Sequence, residues 1–192
     1  LHALENDREL NTVKGIVFRD NGKIISTKSQ SYIENLDTLN FPLTNASKVL
    51  KDFDKYPKEA FGYIFTSRGC PYACTFCESK SMWTRKVRYR SPENVIAELK
   101  QLYEFGIKKV NFDDDTFGVS KKNIKAINNL MHDELPNMTY TCETVVQLAK
   151  DENVVKDMKR GGCTAAFVGI ESGNNEILKK IKKTQTTDEC IQ

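Results

Sequence analysis

The sequence predicts an α/β fold built on a parallel sheet, beginning near residue 61. Short apolar runs alternate there with stretches of helical periodicity, which is the pattern of strands joined by crossover helices. Polar residues follow three of these runs, at the strand ends where parallel α/β proteins bind their ligands. Capping residues also stand where the helices should begin and end. We therefore expect four βα units within residues 61–192.

The first βα unit pairs a strand at about 61–66 with a well-marked helix. Ser91 is suited to cap that helix and Pro92 to occupy its first position. Gly106 is suited to end it. The second strand should follow directly at Lys109–Phe112.

The remaining units show similar signals. Ser120 should cap the second helix, and a third strand is expected at about 138–142. A shorter helix at about 152–160 precedes the fourth strand, Ala165–Ile170. Asn174 should begin the last helix.

Residues 1–60 form a simpler segment ahead of this sheet. Asp20-Asn21-Gly22 lies between two apolar runs, and Asn-Gly in that setting is a strong β-hairpin signal. Ile33–Pro42 has the composition of an extended connector. We predict a small hairpin followed by a linker.

The composition excludes several classes of function. The net charge of +3 indicates neither a nucleic-acid partner nor a membrane partner. No apolar run approaches the roughly 18 residues of a membrane span, and the first residues lack the apolar stretch of a signal peptide. Six cysteines, three of them clustered, suit a reducing, cytoplasmic setting.

The cysteine cluster is the main chemical signal. Cys70, Cys74 and Cys77 stand at C-x3-C-x2-C spacing just after the first strand, and thiolates are preferred ligands of both iron–sulfur clusters and zinc. A structural zinc site needs four ligands, usually as two cysteine pairs, and no second pair is present. Three cysteines on a [4Fe-4S] cluster leave one iron open, which favours a cluster over zinc or a disulfide.

This motif, with Phe76 before its third cysteine, resembles the signature of radical S-adenosylmethionine (SAM) enzymes. The resemblance implies that the open iron chelates SAM and that an electron from the cluster cleaves it to a 5′-deoxyadenosyl radical. It also implies a partial TIM-like (β/α)6 barrel, of which residues 61–192 would hold the first four βα units. The chain is then expected to be a fragment, truncated at its C-terminus.

The resemblance implies further cofactor-binding residues. Phe76 would cover the adenine through the loop backbone, although simple packing would also explain it. Asp114 and Asp115, within Asp114-Asp115-Thr116-Phe117, would bind the amino end of SAM or polar substrate groups; the alternative is a solvated acidic turn. Glu171, Ser172 and Gly173 match a Gly-x-Glu-Ser-Gly pattern in which the glutamate binds the ribose. A helix-terminal acid is the alternative role for that glutamate.

The same motifs are similar to the branch of the family that carries a cobalamin-binding domain. Residues 1–60 resemble the segment that links such a domain, here expected upstream of the chain, to the catalytic barrel. The branch commonly has an arginine after the third strand, in a Thr-Arg-hydrophobe pattern. This sequence departs from it with Thr144-Val145-Val146.

The resemblance leads to a first hypothesis and two alternatives. The first is a cobalamin-associated radical SAM enzyme that performs C-methylation or oxidative cyclisation on a small-molecule substrate, with an electron donor such as flavodoxin or ferredoxin. The second is a methylthiotransferase acting on tRNA or a ribosomal protein, although residues 1–60 lack the cysteines of its extra domain. The third is a zinc-stabilised binding module without catalysis.

Overall fold

The structure is a computed structural model that describes residues 2–191, and these divide into two compact units. The first unit, residues 2–34, contains helix α1 (His2–Glu5) and the antiparallel strands β1 (Val17–Asp20) and β2 (Lys23–Ser26). Asn21 and Gly22 connect the strands with positive φ angles of 46° and 80°, as a tight hairpin turn requires. The predicted hairpin is confirmed.

The second unit, residues 35–191, is built on a four-stranded parallel sheet. The strands of this unit are β3 (Tyr63–Ile64), β4 (Ser67–Arg68), β5 (Arg88–Tyr89), β6 (Lys109–Phe112), β7 (Thr139–Thr144) and β8 (Cys163–Val168). Four of them form the parallel sheet, and β4 pairs separately with β5. The parallel sheet has the order β3-β6-β7-β8, so each new strand is added beside the previous one. This is the order of consecutive βα units in a βα barrel, of which the sequence predicted the first four.

Helices connect these strands and bury one side of the sheet. They are α2 (Pro42–Val49), α3 (Ser79–Trp83), α4 (Pro92–Phe105), α5 (Lys121–Glu134), α6 (Val146–Ala149), α7 (Glu152–Arg160), α8 (Asn175–Lys180) and α9 (Thr187–Ile191). Apolar residues of α4, α5 and α7 form one core with inward residues of the sheet, among them Leu99, Phe112, Ile127, Met131 and Tyr140. None of the helices described is long and apolar enough to cross a membrane.

The predicted helix boundaries are confirmed where a cap marks them. The Ser91 hydroxyl accepts a hydrogen bond from the Asn94 N–H at 3.2 Å at the start of α4. Gly106 ends that helix in the left-handed region, at φ 105°. Ser120 and Asn174 cap α5 and α8 in the same way.

The structure differs from the prediction most in two segments, and β8 also runs from Cys163 to Val168 rather than over Ala165–Ile170. The first strand is shorter than 61–66, because the chain bends after Ile64 and Ser67–Arg68 instead pairs antiparallel with β5. The connector over residues 33–42 contains a 3₁₀ turn, Leu36–Thr38, and reaches the start of α2. Leu36 is fully buried, so tertiary packing outweighs the weak local preference of this segment.

A buried ion pair supports the bend after the first strand. The Arg90 guanidinium lies 2.5 Å from the Glu98 carboxylate, and both side chains are at most 10% exposed. The same guanidinium donates to the Phe65 carbonyl at 2.8 Å. Arg90 therefore connects α4 to the residue that precedes the cysteine-bearing loop.

We predict that Arg90→Met lowers the free energy of unfolding by about 3–5 kcal/mol, because Glu98 would keep a buried, uncompensated charge. Lys156→Met is the matched control, since it removes the exposed Lys156–Glu152 pair, and its cost should stay below about 1 kcal/mol. Urea unfolding followed by circular dichroism measures both. Equal losses in the two variants would contradict the structural role given to Arg90.

Candidate active site

A cavity of about 360 Å³ lies at the carboxyl ends of the parallel strands. Three parts of the chain line it: the cysteine-bearing loop, the residues that follow β6, β7 and β8, and the segment after α8. Its principal side chains are those of Cys70, Tyr72, Cys74, Phe76, Cys77, Asp115, Thr116, Glu143, Val145, Phe167, Glu171, Lys183 and Gln185. The predicted convergence of thiols and strand-end carboxylates is present.

All three clustered cysteines are free thiols, partly exposed towards this cavity. The Cys70 sulfur lies 3.3 Å from the Thr116 hydroxyl, and the Cys77 sulfur accepts a hydrogen bond from the Ser79 N–H at 3.5 Å. Burial raises the pKa of the Cys74 thiol, while the positive charge of Lys183 acts in the opposite direction. The Ser79 N–H is thus a hydrogen-bond donor beside Cys77, whereas the Thr116 hydroxyl donates its proton to the Asp115 carbonyl at 2.6 Å.

The three thiols of the loop do not converge on a single metal centre in the part of the chain that the structure describes. Within residues 2–191, no three His, Cys, Asp or Glu side chains converge closely enough to hold a single metal ion. In a [4Fe-4S] cluster each thiolate binds a different iron, so the thiols need to surround a volume rather than a point. A mononuclear zinc ion would need its ligands to meet at one centre.

The backbone of the loop is fixed at both ends. Gly69 has φ 105°, and a Cβ there would lie 2.7 Å from the Lys86 carbonyl oxygen, so only glycine fits. The Gly69 N–H donates to the Asp115 carboxylate at 3.1 Å. Beyond the first two cysteines, the Thr75 N–H donates to the Ile181 carbonyl at 3.1 Å. The loop is therefore attached to the end of β6 and to the end of α8.

Asp114 lies beneath the loop rather than in the cavity. Its carboxylate accepts hydrogen bonds from the N–H groups of Thr66 and Ser67, at 2.6 and 3.1 Å, and its second oxygen contacts both hydroxyls, at 2.5 and 2.7 Å. Burial raises the pKa of this carboxyl, and the hydrogen bonds from Thr66 and Ser67 act against that rise. The expectation that Asp114 contacts SAM does not fit this position. Its carboxylate already accepts hydrogen bonds from the backbone at the start of the loop.

Asp115, in contrast to Asp114, lines the cavity. Its side chain is exposed there and, among the residues described, accepts one hydrogen bond, from the Gly69 N–H. The next residue, Thr116, contacts Cys70. The end of β6 therefore reaches both the loop backbone and one thiol.

Of the three residues predicted after β8, the structure brings one into the cavity. Glu171 lines it, in the left-handed region at φ 70°. The Ser172 hydroxyl instead accepts from the Asn174 N–H at 3.1 Å and forms part of the turn into α8. Gly173 lies outside the cavity, with open space where a side chain would be.

Sequence reasoning missed the segment that follows α8. Lys183 lies 3.4 Å from the Glu171 carboxylate, with its side chain only 8% exposed. The buried Gln185 amide donates to the carbonyls of Gly169 and Ile170 at 3.1 and 3.2 Å. The signal available in the sequence was the charge of Lys183, because a cavity with several carboxylates needs a cation facing them.

We predict that Asp114→Ala lowers the free energy of unfolding by roughly 2–5 kcal/mol, because at least two buried N–H groups lose their acceptor. Asp113→Ala is the control, since Asp113 is exposed and accepts only from the Asn111 side chain among the residues described, so its cost should stay within about 0.5 kcal/mol. Chemical unfolding of both variants measures the difference. Similar costs would show that the carboxylate does not fix the loop.

Comparison with curated proteins identifies relatives over the whole chain. The chain is 38% identical over 192 residues to the uncharacterized methyltransferase PH0819 of Pyrococcus horikoshii, covering 98% of this chain and 41% of that protein. It is 29% identical over 197 residues to the anaerobic magnesium-protoporphyrin IX monomethyl ester cyclase of a Synechocystis species, covering 99% and 38%. The chain thus spans about two fifths of the length of these relatives.

Two solved structures share the fold. One is the cobalamin-dependent S-adenosylmethionine radical enzyme OxsB, with a TM-score of 0.76 at 20% identity, covering 98% of this chain and 28% of that one. The other is the radical S-adenosylmethionine methyltransferase TsrM from Kitasatospora setae, with a TM-score of 0.75 at 15% identity, covering 98% and 39%. At this level of identity they establish the architecture.

The sequence profile of the radical SAM superfamily matches residues 64–192, which are most of the chain. This match covers the cysteine loop and every strand that contributes to the cavity. The members of this superfamily use a [4Fe-4S] cluster and SAM, so the alternative of a non-catalytic zinc module is wrong. The chain belongs to the radical SAM superfamily of enzymes and forms part of its βα barrel.

Proposed function

We propose that this chain holds a [4Fe-4S] cluster and SAM in the cavity at the strand ends, and that it supports the reductive cleavage of SAM. One observation carries the proposal: the three thiols of the C-x3-C-x2-C loop line the same cavity as Asp115, Glu143 and Glu171. When bound, the reduced cluster supplies the electron that splits SAM into methionine and a 5′-deoxyadenosyl radical.

Cys70, Cys74 and Cys77 are the proposed cluster ligands and thus the catalytic residues of this site. The Ser79 N–H beside Cys77 can donate to that ligand sulfur. Such a hydrogen bond tunes the reduction potential of a cluster. Asp114 positions this loop without touching the cofactors.

The remaining cavity residues are suited to SAM. Its ammonium group needs acceptors, and Asp115 offers a carboxylate beside the first cysteine. The Glu171 carboxylate can accept from both ribose hydroxyls. Phe76 lies on the cavity with 56% of its surface exposed, which leaves its ring and backbone open to the adenine. In this proposal Ser172 and Gly173 shape the turn that presents Glu171.

We further propose that the barrel works with cobalamin bound by a domain outside this chain. Residues 1–60 would link that domain to the barrel in residues 61–192. OxsB is named as a cobalamin-dependent radical enzyme and TsrM as a radical methyltransferase. Of the two curated relatives, one is named as a methyltransferase and the other as a cyclase. These names support C-methylation or oxidative cyclisation of a small-molecule substrate.

The proposal also includes an electron donor, such as a flavodoxin or ferredoxin. It places the protein in a reducing, cytoplasmic setting, which suits its six free cysteines.

The first test is anaerobic reconstitution with iron and sulfide. We expect a brown protein with about four iron and four sulfide per chain, the composition of a [4Fe-4S] cluster, and an electron paramagnetic resonance signal on reduction. Cys74→Ala should abolish the stable cluster and the formation of 5′-deoxyadenosine. Cys190→Ala, which removes a thiol of α9 outside the cavity, should leave both unchanged. A colourless protein, or equal cluster loss in both variants, would refute the assignment.

The second test concerns cobalamin. The protein that includes the region preceding residue 1 should bind hydroxocobalamin in equilibrium dialysis. Residues 1–192 alone should bind it much more weakly, because the proposed domain lies outside them. Equal binding by both proteins would overturn the proposed domain organisation, and absence of binding by the longer protein would overturn the role of cobalamin.

A further inference from the structure

The net charge of +3 is unevenly distributed, and two strongly basic segments lie next to the cysteine loop. Residues 79–90 contain no acidic residue and five basic ones, which are Lys80, Arg85, Lys86, Arg88 and Arg90. Residues 177–183 contain no acidic residue and four lysines, which are Lys179, Lys180, Lys182 and Lys183. Each segment is therefore more positive than the chain as a whole.

Both segments are hydrogen-bonded to the same short stretch of the loop. The first begins with α3, whose Ser79 N–H donates to the Cys77 sulfur at 3.5 Å. The second contains the end of α8, where the Ile181 carbonyl accepts from the Thr75 N–H at 3.1 Å. The two basic segments therefore meet the loop two residues apart, beside a proposed ligand of the cluster.

Several charges of these segments face solvent and have no role in the fold. Ser79 and Trp83 lie one turn apart in α3 and are at least partly buried, whereas Lys80, between them, is exposed. Arg85 is exposed just after this helix, and Lys179 and Lys180 are exposed in α8. None of these four cations takes part in an ion pair among the residues that the structure describes. They are available to an external partner.

Each segment also exposes one large apolar side chain. Met82 of α3 is 59% exposed, and Ile177 of α8 is 47% exposed. Next to Met82, the Trp83 ring is held by the guanidinium groups of Arg68 and Arg88, which lie 5.1 and 5.9 Å from its centre. Apolar side chains, methionine among them, surrounded by charged groups are typical of a surface that binds another protein.

A protein bound here would lie close to the proposed cluster. The Ser79–Cys77 hydrogen bond joins a ligand sulfur directly to the first residue of the exposed helix α3. SAM occupies the cavity side of the loop in the proposed function, so an electron donor has to approach from another side. Redox partners form small, transient interfaces, and opposite charges raise the rate at which they meet.

We propose that the exposed side chains of these two segments form a docking surface for a small, acidic one-electron carrier protein of the flavodoxin kind. In the reaction the reduced carrier loses one electron and the oxidised cluster gains it, and no covalent bond is made or broken. This inference rests on the proposed function, since it assumes that the loop holds a cluster. The basic docking surface consists of Lys80, Met82, Arg85, Ile177, Lys179 and Lys180.

The test mixes the full-length, cluster-loaded protein with reduced, acidic flavodoxin in an anaerobic stopped-flow instrument. The double variants Lys80→Glu/Arg85→Glu and Lys179→Glu/Lys180→Glu should each lower the second-order rate of cluster reduction about ten- to hundredfold at low salt, because they remove electrostatic steering. The deficit should shrink as the ionic strength rises, since salt screens exposed charges. Binding of oxidised flavodoxin, measured by calorimetry, should weaken in parallel.

Three further variants control for net charge, apolar contact and folding. Lys122→Glu/Lys125→Glu makes the same charge change at exposed positions of α5 outside both segments, and it should alter the rate less than about twofold. Met82→Ala should weaken flavodoxin binding severalfold at every salt concentration, because it removes an apolar contact. Lys80→Gln/Arg85→Gln repeats the test without reversed charges, should a reversal disturb the fold. Iron content and thermal melting confirm that each variant carries its cluster.

Equal reduction rates in the surface variants and the α5 control would overturn the inference. Unchanged reduction by flavodoxin, together with weaker binding of transfer RNA by the surface variants, would assign the surface to RNA and overturn it too.

Photoreduced deazaflavin, a small reductant that needs no docking surface, separates this inference from the proposed function. It should reduce the cluster and start SAM cleavage equally in all variants. A protein that accepts electrons from deazaflavin but neither binds flavodoxin nor is reduced by it would contradict the docking surface alone. Failure of the unsubstituted protein to cleave SAM with deazaflavin would instead overturn the proposed function.

Discussion

The buried carboxylate of Asp114 determines where the cysteine loop leaves the sheet. It binds two successive N–H groups, those of Thr66 and Ser67, just where β3 has ended and the chain bends away. Because those backbone groups are buried, no solvent can replace the carboxylate. The three thiols begin only a few residues later, so their placement depends first on this interaction and then on the contacts of Gly69 with Asp115 and of Thr75 with Ile181. A site on a loop is only as precise as the contacts that support it.

The cavity collects three carboxylates, which would repel one another in isolation. They share a volume of about 360 Å³ with three thiols and a nearly buried lysine. Such an assembly is unfavourable unless cations or donors are present. Iron and the positive groups of SAM would supply that compensation, so the lining of the cavity suits the proposed cofactors.

The sequence revealed the elements with local signals and missed those set by distant contacts. Ser91, Gly106 and Ser120 mark helix ends because caps act within one turn. The split of the first strand was hidden, since it depends on Asp114, which is 48 residues from Thr66. The direction of Asp114 was predictable in principle: Val110 and Phe112 are buried, and alternation along an extended chain points Asp114 the same way. Lys183 follows a short helix with no such period.

The hydrogen bond between Thr75 and Ile181 has a consequence for biosynthesis. During translation the three cysteines leave the ribosome well before the segment that contains Ile181. Until that segment folds back, the loop lacks one of its anchors and its thiols face solvent, where oxidation competes with metal loading. Iron–sulfur assembly should therefore favour a chain whose segment around Ile181 has already left the ribosome, and a pause in translation before that point would expose the nascent thiols to damage.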